Sequence, residues 1–177
     1  ACKKDNPAPT TTPTQTAGLN ITDLGNNVNK VEGSTSSDIT FTSDKVWLLQ
    51  GFVYIEDGAT ITIEPGTLIK GDKDSKGSLI IKRGAKIHAV GTSSSPIVFT
   101  SNQPAGSRDY GDWGGVILCG RANNNQPGGE AIIEGGPDAY YGGAGSPYDS
   151  DNCGTMQYVR IEFAGFGFQA NQVINGL

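Results

Sequence analysis

Between Val46 and Thr100 apolar residues alternate with polar ones, and glycine interrupts the alternation at each corner. The spacings Ile61-x-Ile63 and Ile87-x-Ala89 put every second side chain on one face, which is the pattern of a half-buried strand. The unit Ile-Glu-x-Gly-(Ala/Thr)-x-Ile occurs at 55–61, recurs at 63–69, and returns as Ile-Lys-Arg-Gly-Ala-Lys-Ile at 81–87. Charges change between the copies while glycine and isoleucine stay. What repeats is therefore a corner followed by an inward side chain: glycine supplies the backbone freedom, and Pro65 pre-sets the dihedral before it.

One such coil cannot bury its apolar face alone, whereas coils stacked in register bury a continuous column of Ile, Val and Leu. The pattern predicts a parallel β-solenoid. Later segments continue it at Ile97–Thr100, Trp113–Leu118, Ala131–Ile133 and Tyr158–Phe163, with long loops at 121–130 and 135–155. A β-sandwich also has short strands and glycine-rich turns. It does not predict a nearly identical turn at eight-residue spacing, and hairpin signals are lacking until Asn175-Gly176. Because the repeat reads as scaffold, activity is expected in the loops after Asn102.

Composition agrees with an all-β chain: 26 glycines and nine prolines stand against one methionine and one histidine. The net charge of −5 provides no cationic field for a nucleic-acid backbone, so a nucleic-acid partner is not expected. From Ile87 onward only Arg108, Arg121 and Arg160 face eight carboxylates. That half either attracts cations or is a solvated acidic surface. No apolar run approaches the ~18 residues of a membrane-spanning helix.

The first residues, ACKKDNPAPTTTPTQTAG, are polar and rich in Pro and Thr, so 1–19 is expected to be a flexible tether. Residues 20–45 are expected to cap the first turn, and 46–177 to form the solenoid. Cys2 behind a small residue resembles the processed end of a bacterial lipoprotein, and the KKDN after it is similar to export signals of surface lipoproteins in Bacteroidota. That resemblance implies a lipid on Cys2 and an outer-membrane, cell-surface location. The alternative is a plain cysteine at a chain boundary.

The stretch GSLIIKRGAKIHAVGTSSSPIVFTSNQPAGSRDYGDWGGVILCGRA, followed by IEGG, YGG and YVRIEFAGFGF, resembles right-handed parallel β-helix lipoproteins of Bacteroidota, many of unassigned function. The resemblance spans roughly 45–177 and implies a right-handed parallel β-helix whose coils continue past Leu177. An open end would then be covered by further chain, by an outer-membrane protein or by self-association.

Several groups are candidates for chemistry. Cys119 and Cys153 flank the long loops and, in an exported protein, are expected to form a disulfide; buried free thiols or a metal pair are the alternatives. Asp138, Asp149, Asp151 and Asn152 offer oxygen ligands for calcium, against a simple solvated turn. Tyr110, Trp113, Tyr140, Tyr141 and Tyr148 are ring faces suited to stacking on sugars, or to packing on the solenoid. His88 falls on an outward position, and Arg160 and Glu162 read as a surface pair. Asp and Arg at matched positions of successive coils, as an enzyme site would use, are not evident.

The expected function is a surface lipoprotein module that is structural or ligand-binding, with a glycan as candidate ligand, rather than a catalyst. The alternative is a carbohydrate-active enzyme, a polysaccharide lyase or glycosidase, with its site in the loops or beyond Leu177.

Overall fold

The computed structural model describes residues 18–143, 148–169 and 172–177. Most of the expected tether, Cys2 included, lies outside the described residues. The chain runs through strands β1 (Leu19–Asp23), β2 (Val28–Thr35), β3 (Ile39–Phe41), β4 (Val46–Ile55), β5 (Thr60–Ile63), β6 (Leu68–Gly71), β7 (Ser78–Ile81) and β8 (Lys86–Val90). It continues through β9 (Ile97–Ser101), β10 (Gly115–Leu118), β11 (Glu130–Ile132), β12 (Tyr140–Gly142), β13 (Gly154–Gln157), β14 (Val159–Ile161), β15 (Phe166–Gln169) and β16 (Gln172–Ile174).

These strands wind into a parallel β-helix with three faces. The first face stacks the leading halves of β2 and β4 with β6, β9 and β14. The second stacks the trailing halves of β2 and β4 with β7 and β10. The third stacks β3, β5, β8 and β13. The ladder thus begins at Val28, and the segment preceding Val46 contributes a coil of its own. Antiparallel pairing occurs off these faces: β1 folds back on β2 and seats Leu19 against the first coil, while β11 pairs with β12 and β15 with β16.

Register turns sequence alternation into columns. Trp47, Ile69 and Phe99 are partners on the first face, Val53, Leu79 and Val116 on the second, and Ile61 with Ile87 on the third. All are buried and belong to one cluster. Each isoleucine or leucine so enclosed contributes about 1.5–3 kcal/mol.

Trp113 belongs to this core, which corrects its reading as a ligand platform. Its ring is fully buried, stacks on Phe99 at 6.3 Å with planes 9° apart, and donates from Nε1 to the Glu162 carbonyl at 2.8 Å. Gly71 makes the space for it, since a Cβ there would overlap the Trp113 side chain. Asp112, next to it, is buried and pins the 102–112 loop. It accepts from Ser101 Oγ at 2.6 Å and from the Asp109 N–H at 3.1 Å, and pairs with Lys73 Nζ at 2.8 Å. Burial by itself would raise its pKa, but Lys73, Ser101 and the Asp109 N–H together outweigh that and hold the carboxyl below its ordinary value.

Candidate functional site

The three copies of the repeat are three turns of one kind. Ala59, Thr67 and Ala85 donate their N–H to the carbonyls of Glu56, Glu64 and Lys82 at 3.1, 3.2 and 2.9 Å. Gly58, Gly66 and Gly84 have φ of 83°, 82° and 81° at the third turn position. This is the arrangement of a type II turn, in which glycine is the residue without a steric penalty. The copies at 55–61 and 81–87 form the same corner, between the second and third faces, in successive coils. The copy at 63–69 is the next corner of the coil, where Glu64 accepts from the Ser43 N–H at 2.8 Å.

Stacking therefore places Lys82 over Glu56 and Arg83 over Asp57. Lys82 Nζ reaches Glu56 Oε2 at 3.0 Å. Asp57 and Arg83 do occupy matched positions on successive coils, which the sequence reading missed although its own alignment of the repeats contained them.

In the fourth coil this corner is replaced by an insertion. The Cys119 N–H donates to the Ile81 carbonyl, as Lys82 does to Ile55, and Cys153 leads into β13 beside Ile87. Residues 120–152 stand in place of Arg83-Gly84-Ala85. The insertion is held by apolar contact: β11 and β12 pair into an antiparallel hairpin, and Ala139 and Cys119 bury Ile80 on the outside of the second face. Phe52, Tyr54, Ile117, Ile133 and Tyr141 complete that small second core.

The insertion leans over the corner and closes a groove of about 680 Å³. Its floor is Glu56, Asp57, Lys82 and Arg83, and its wall includes Arg121, Asp138, Tyr140 and Tyr148. Arg83 Nη1 donates to Glu130 Oε2 and to the Gly142 carbonyl, both at 2.8 Å, and its guanidinium lies 5.7 Å from the Tyr140 ring centre. Arg121 pairs with Asp57, and its guanidinium lies 5.3 Å from the Tyr148 ring centre. The Asp138 N–H donates to Tyr54 Oη at 3.3 Å, which ties the wall to the second face. Tyr54's hydroxyl pKa is raised, first by burial.

Of the five aromatic candidates, Tyr140 and Tyr148 line this groove. Tyr141 packs in the second core, Tyr110 is 84% exposed on the loop before β10, and Trp113 is buried. The calcium set is not assembled. Asp138 stands in the groove wall, Asp151 Oδ2 accepts the Arg121 N–H at 2.7 Å, Asn152 Oδ1 caps the Gly154 N–H at 2.7 Å, and Asp149 sits in the exposed turn before them. Among the described residues no three His, Cys, Asp or Glu converge as metal ligands.

The expected disulfide is also corrected: Cys119 and Cys153 are both free. Cys119 points into the second core, whereas Cys153 is half-buried. Burial, helped by the neighbouring Cys153, pushes the Cys119 thiol up to about 11; burial and Asp151 raise Cys153. Neither thiol is activated as a nucleophile at neutral pH. His88 projects from the third face between Thr62 and Thr155, and Arg160 pairs with Glu162.

A family model described as a pectate-lyase-like β-helix domain matches residues 33–177. No curated protein and no solved structure matches the chain.

Proposed function

Because the chain belongs to the family of pectate-lyase-like β-helix domains, we propose that it is a carbohydrate-binding module, lipid-anchored at the cell surface, that holds a glycan in the corner groove. The observation that carries this is the pairing of two exposed rings, Tyr140 and Tyr148, with a floor of charged side chains from two successive coils. A sugar ring offers C–H faces that pack on aromatics and hydroxyls that bond to guanidinium and carboxylate groups. A groove of about 680 Å³ falls within the range of small-ligand sites, roughly 300–1,000 Å³. The anchor rests on Cys2 and the Pro/Thr spacer behind it.

A catalytic reading draws on the stacked Asp57 and Arg83, since polysaccharide-cleaving enzymes place acids and bases on one outer face. Binding is favoured because Lys82, Arg83 and Arg121 are each engaged by a carboxylate, leaving none of them as a ready base.

Calorimetry against neutral and acidic oligosaccharides tests the reading. Saturable binding is expected, with Tyr140→Ala and Tyr148→Ala each weakening it about fivefold, in line with the roughly 1 kcal/mol of a ring contact. Absence of binding to every sugar tried sinks it, and release of new sugar ends during incubation moves the protein to the catalytic class. Palmitate labelling of the full-length protein in cells, expected to disappear in Cys2→Ala, tests the anchor.

A further inference from the structure

Beyond the groove, a second hollow of about 340 Å³ opens on the third face, and its chemistry is of one sign. It is lined by Thr60, Thr62, Thr155, Asn152, Lys86 and His88, with no carboxylate among its lining residues, on a chain whose net charge is −5. Two acids stand at its margins without lining it: Asp38 below Thr60, and Asp151 in the adjoining hollow. Asp38 accepts the Thr60 N–H at 2.8 Å, and Asp151 accepts the Arg121 N–H at 2.7 Å.

The lysine at this site differs from the one at the corner before it. Lys82 is paired to Glu56, whereas the side chains of Lys86 and His88 have no hydrogen-bond or ion-pair partner among the described residues. Asn152 spends its carbonyl oxygen on the Gly154 N–H, so its amide N–H₂ is the end left for a ligand.

We infer that this hollow is an oxyanion subsite that takes a tetrahedral sulfate or phosphate group. Lys86 offers three N–H donors, His88 a ring N–H, Asn152 an amide and the three threonines hydroxyls. Donors that outnumber and surround suit a group with three or more acceptor oxygens better than a planar carboxylate. The register supports the arrangement, because Thr62, His88 and Thr155 are direct ladder partners on adjacent strands about 4.8 Å apart.

The subsite also communicates with the groove. Lys86 and Asn152 are shared with a middle hollow of about 290 Å³, which shares Arg121 and Tyr148 with the groove. Gly84 lines the middle hollow, and a side chain there would collide with Arg121 and Asp57. A glycan in the groove can therefore place a sulfate or phosphate ester in the subsite. This last link rests on the glycan reading; the oxyanion site does not.

His88 is the chain's one histidine, so its imidazole NMR signals report on the subsite without ambiguity. Titration with inorganic sulfate and with inorganic phosphate, at constant ionic strength set by chloride, is expected to shift those signals saturably. Lys86→Gln should weaken the binding about tenfold, the loss of one charge-assisted contact. A linear, non-saturating shift, or an equal response to acetate, overturns the proposal. So does an unchanged affinity in Lys86→Gln, with a matching thermal melt showing that the variant is folded. Comparison of a sulfated oligosaccharide with its unsulfated parent separates the sources. Tighter binding of the sulfated chain, lost in Lys86→Gln, assigns the ester of a glycan, while saturable inorganic binding without that preference assigns the free ion and overturns only the link to the groove.

Discussion

The fourth coil makes two long excursions, and they are built on opposite principles. The first, 102–114, turns its chemistry inward: Trp113 fills the column above Gly71, and Asp112 is buried against Ser101 and pairs with the exposed Lys73. The second, 119–153, turns its chemistry outward. It is anchored by apolar contact on the outside of the second face, and leaves Tyr140, Tyr148 and Arg121 over the corner. Both segments are rich in glycine, aspartate and aromatics. Similar composition thus fills the core in one and lines an open groove in the other, and what separates them is the side of the strand on which each segment lands.

The largest expected difference is between the two aromatics. Trp113→Ala should cost about 3–5 kcal/mol of folding stability, because it empties a fully buried site that stacks on Phe99. Tyr140→Ala, whose ring is 45% exposed, should leave the denaturant midpoint nearly unchanged while weakening glycan binding. Equal losses of stability in the two variants would erase the distinction between the excursions.

A smaller effect is expected from acid. Asp112 has a folded pKa below its ordinary value, so its contribution is present above the unfolded value near 3.9 and is lost as pH falls through the folded pKa. Asp112→Asn should be less stable at neutral pH and should show a flatter decline of melting temperature below about pH 4. An acid decline as steep as that of the parent would show that other carboxylates govern it.

Much of the fold was legible because its causes are local. The repeat at 55–61, 63–69 and 81–87 carries the turn glycine and the inward isoleucine within seven residues, and each copy folds as read. The candidate site was legible only in part. Tyr140 and Tyr148 stood out as rings in a polar loop, but nothing local distinguished them from Tyr141, which the second core absorbs, or Trp113, which fills the main one. The free thiols are a similar case: their spacing says that they flank the loops, whereas Cys119 is claimed by its packing against Ile80 and Ala139.

The sequence by itself determined the coil, its corners and its inward column, because alternation and turn geometry are properties of a few consecutive residues. Only the tertiary structure decided the site. Glu56 and Lys82 lie 26 positions apart and meet because in-register stacking brings equivalent corners of successive coils within reach, whereas Arg121 and Asp57, 64 apart, meet because the fourth-coil insertion leans back over the corner. Charges that vary from copy to copy carry no signal while each copy is read alone. Once the coils are stacked, that variation becomes the ion-paired floor of the groove.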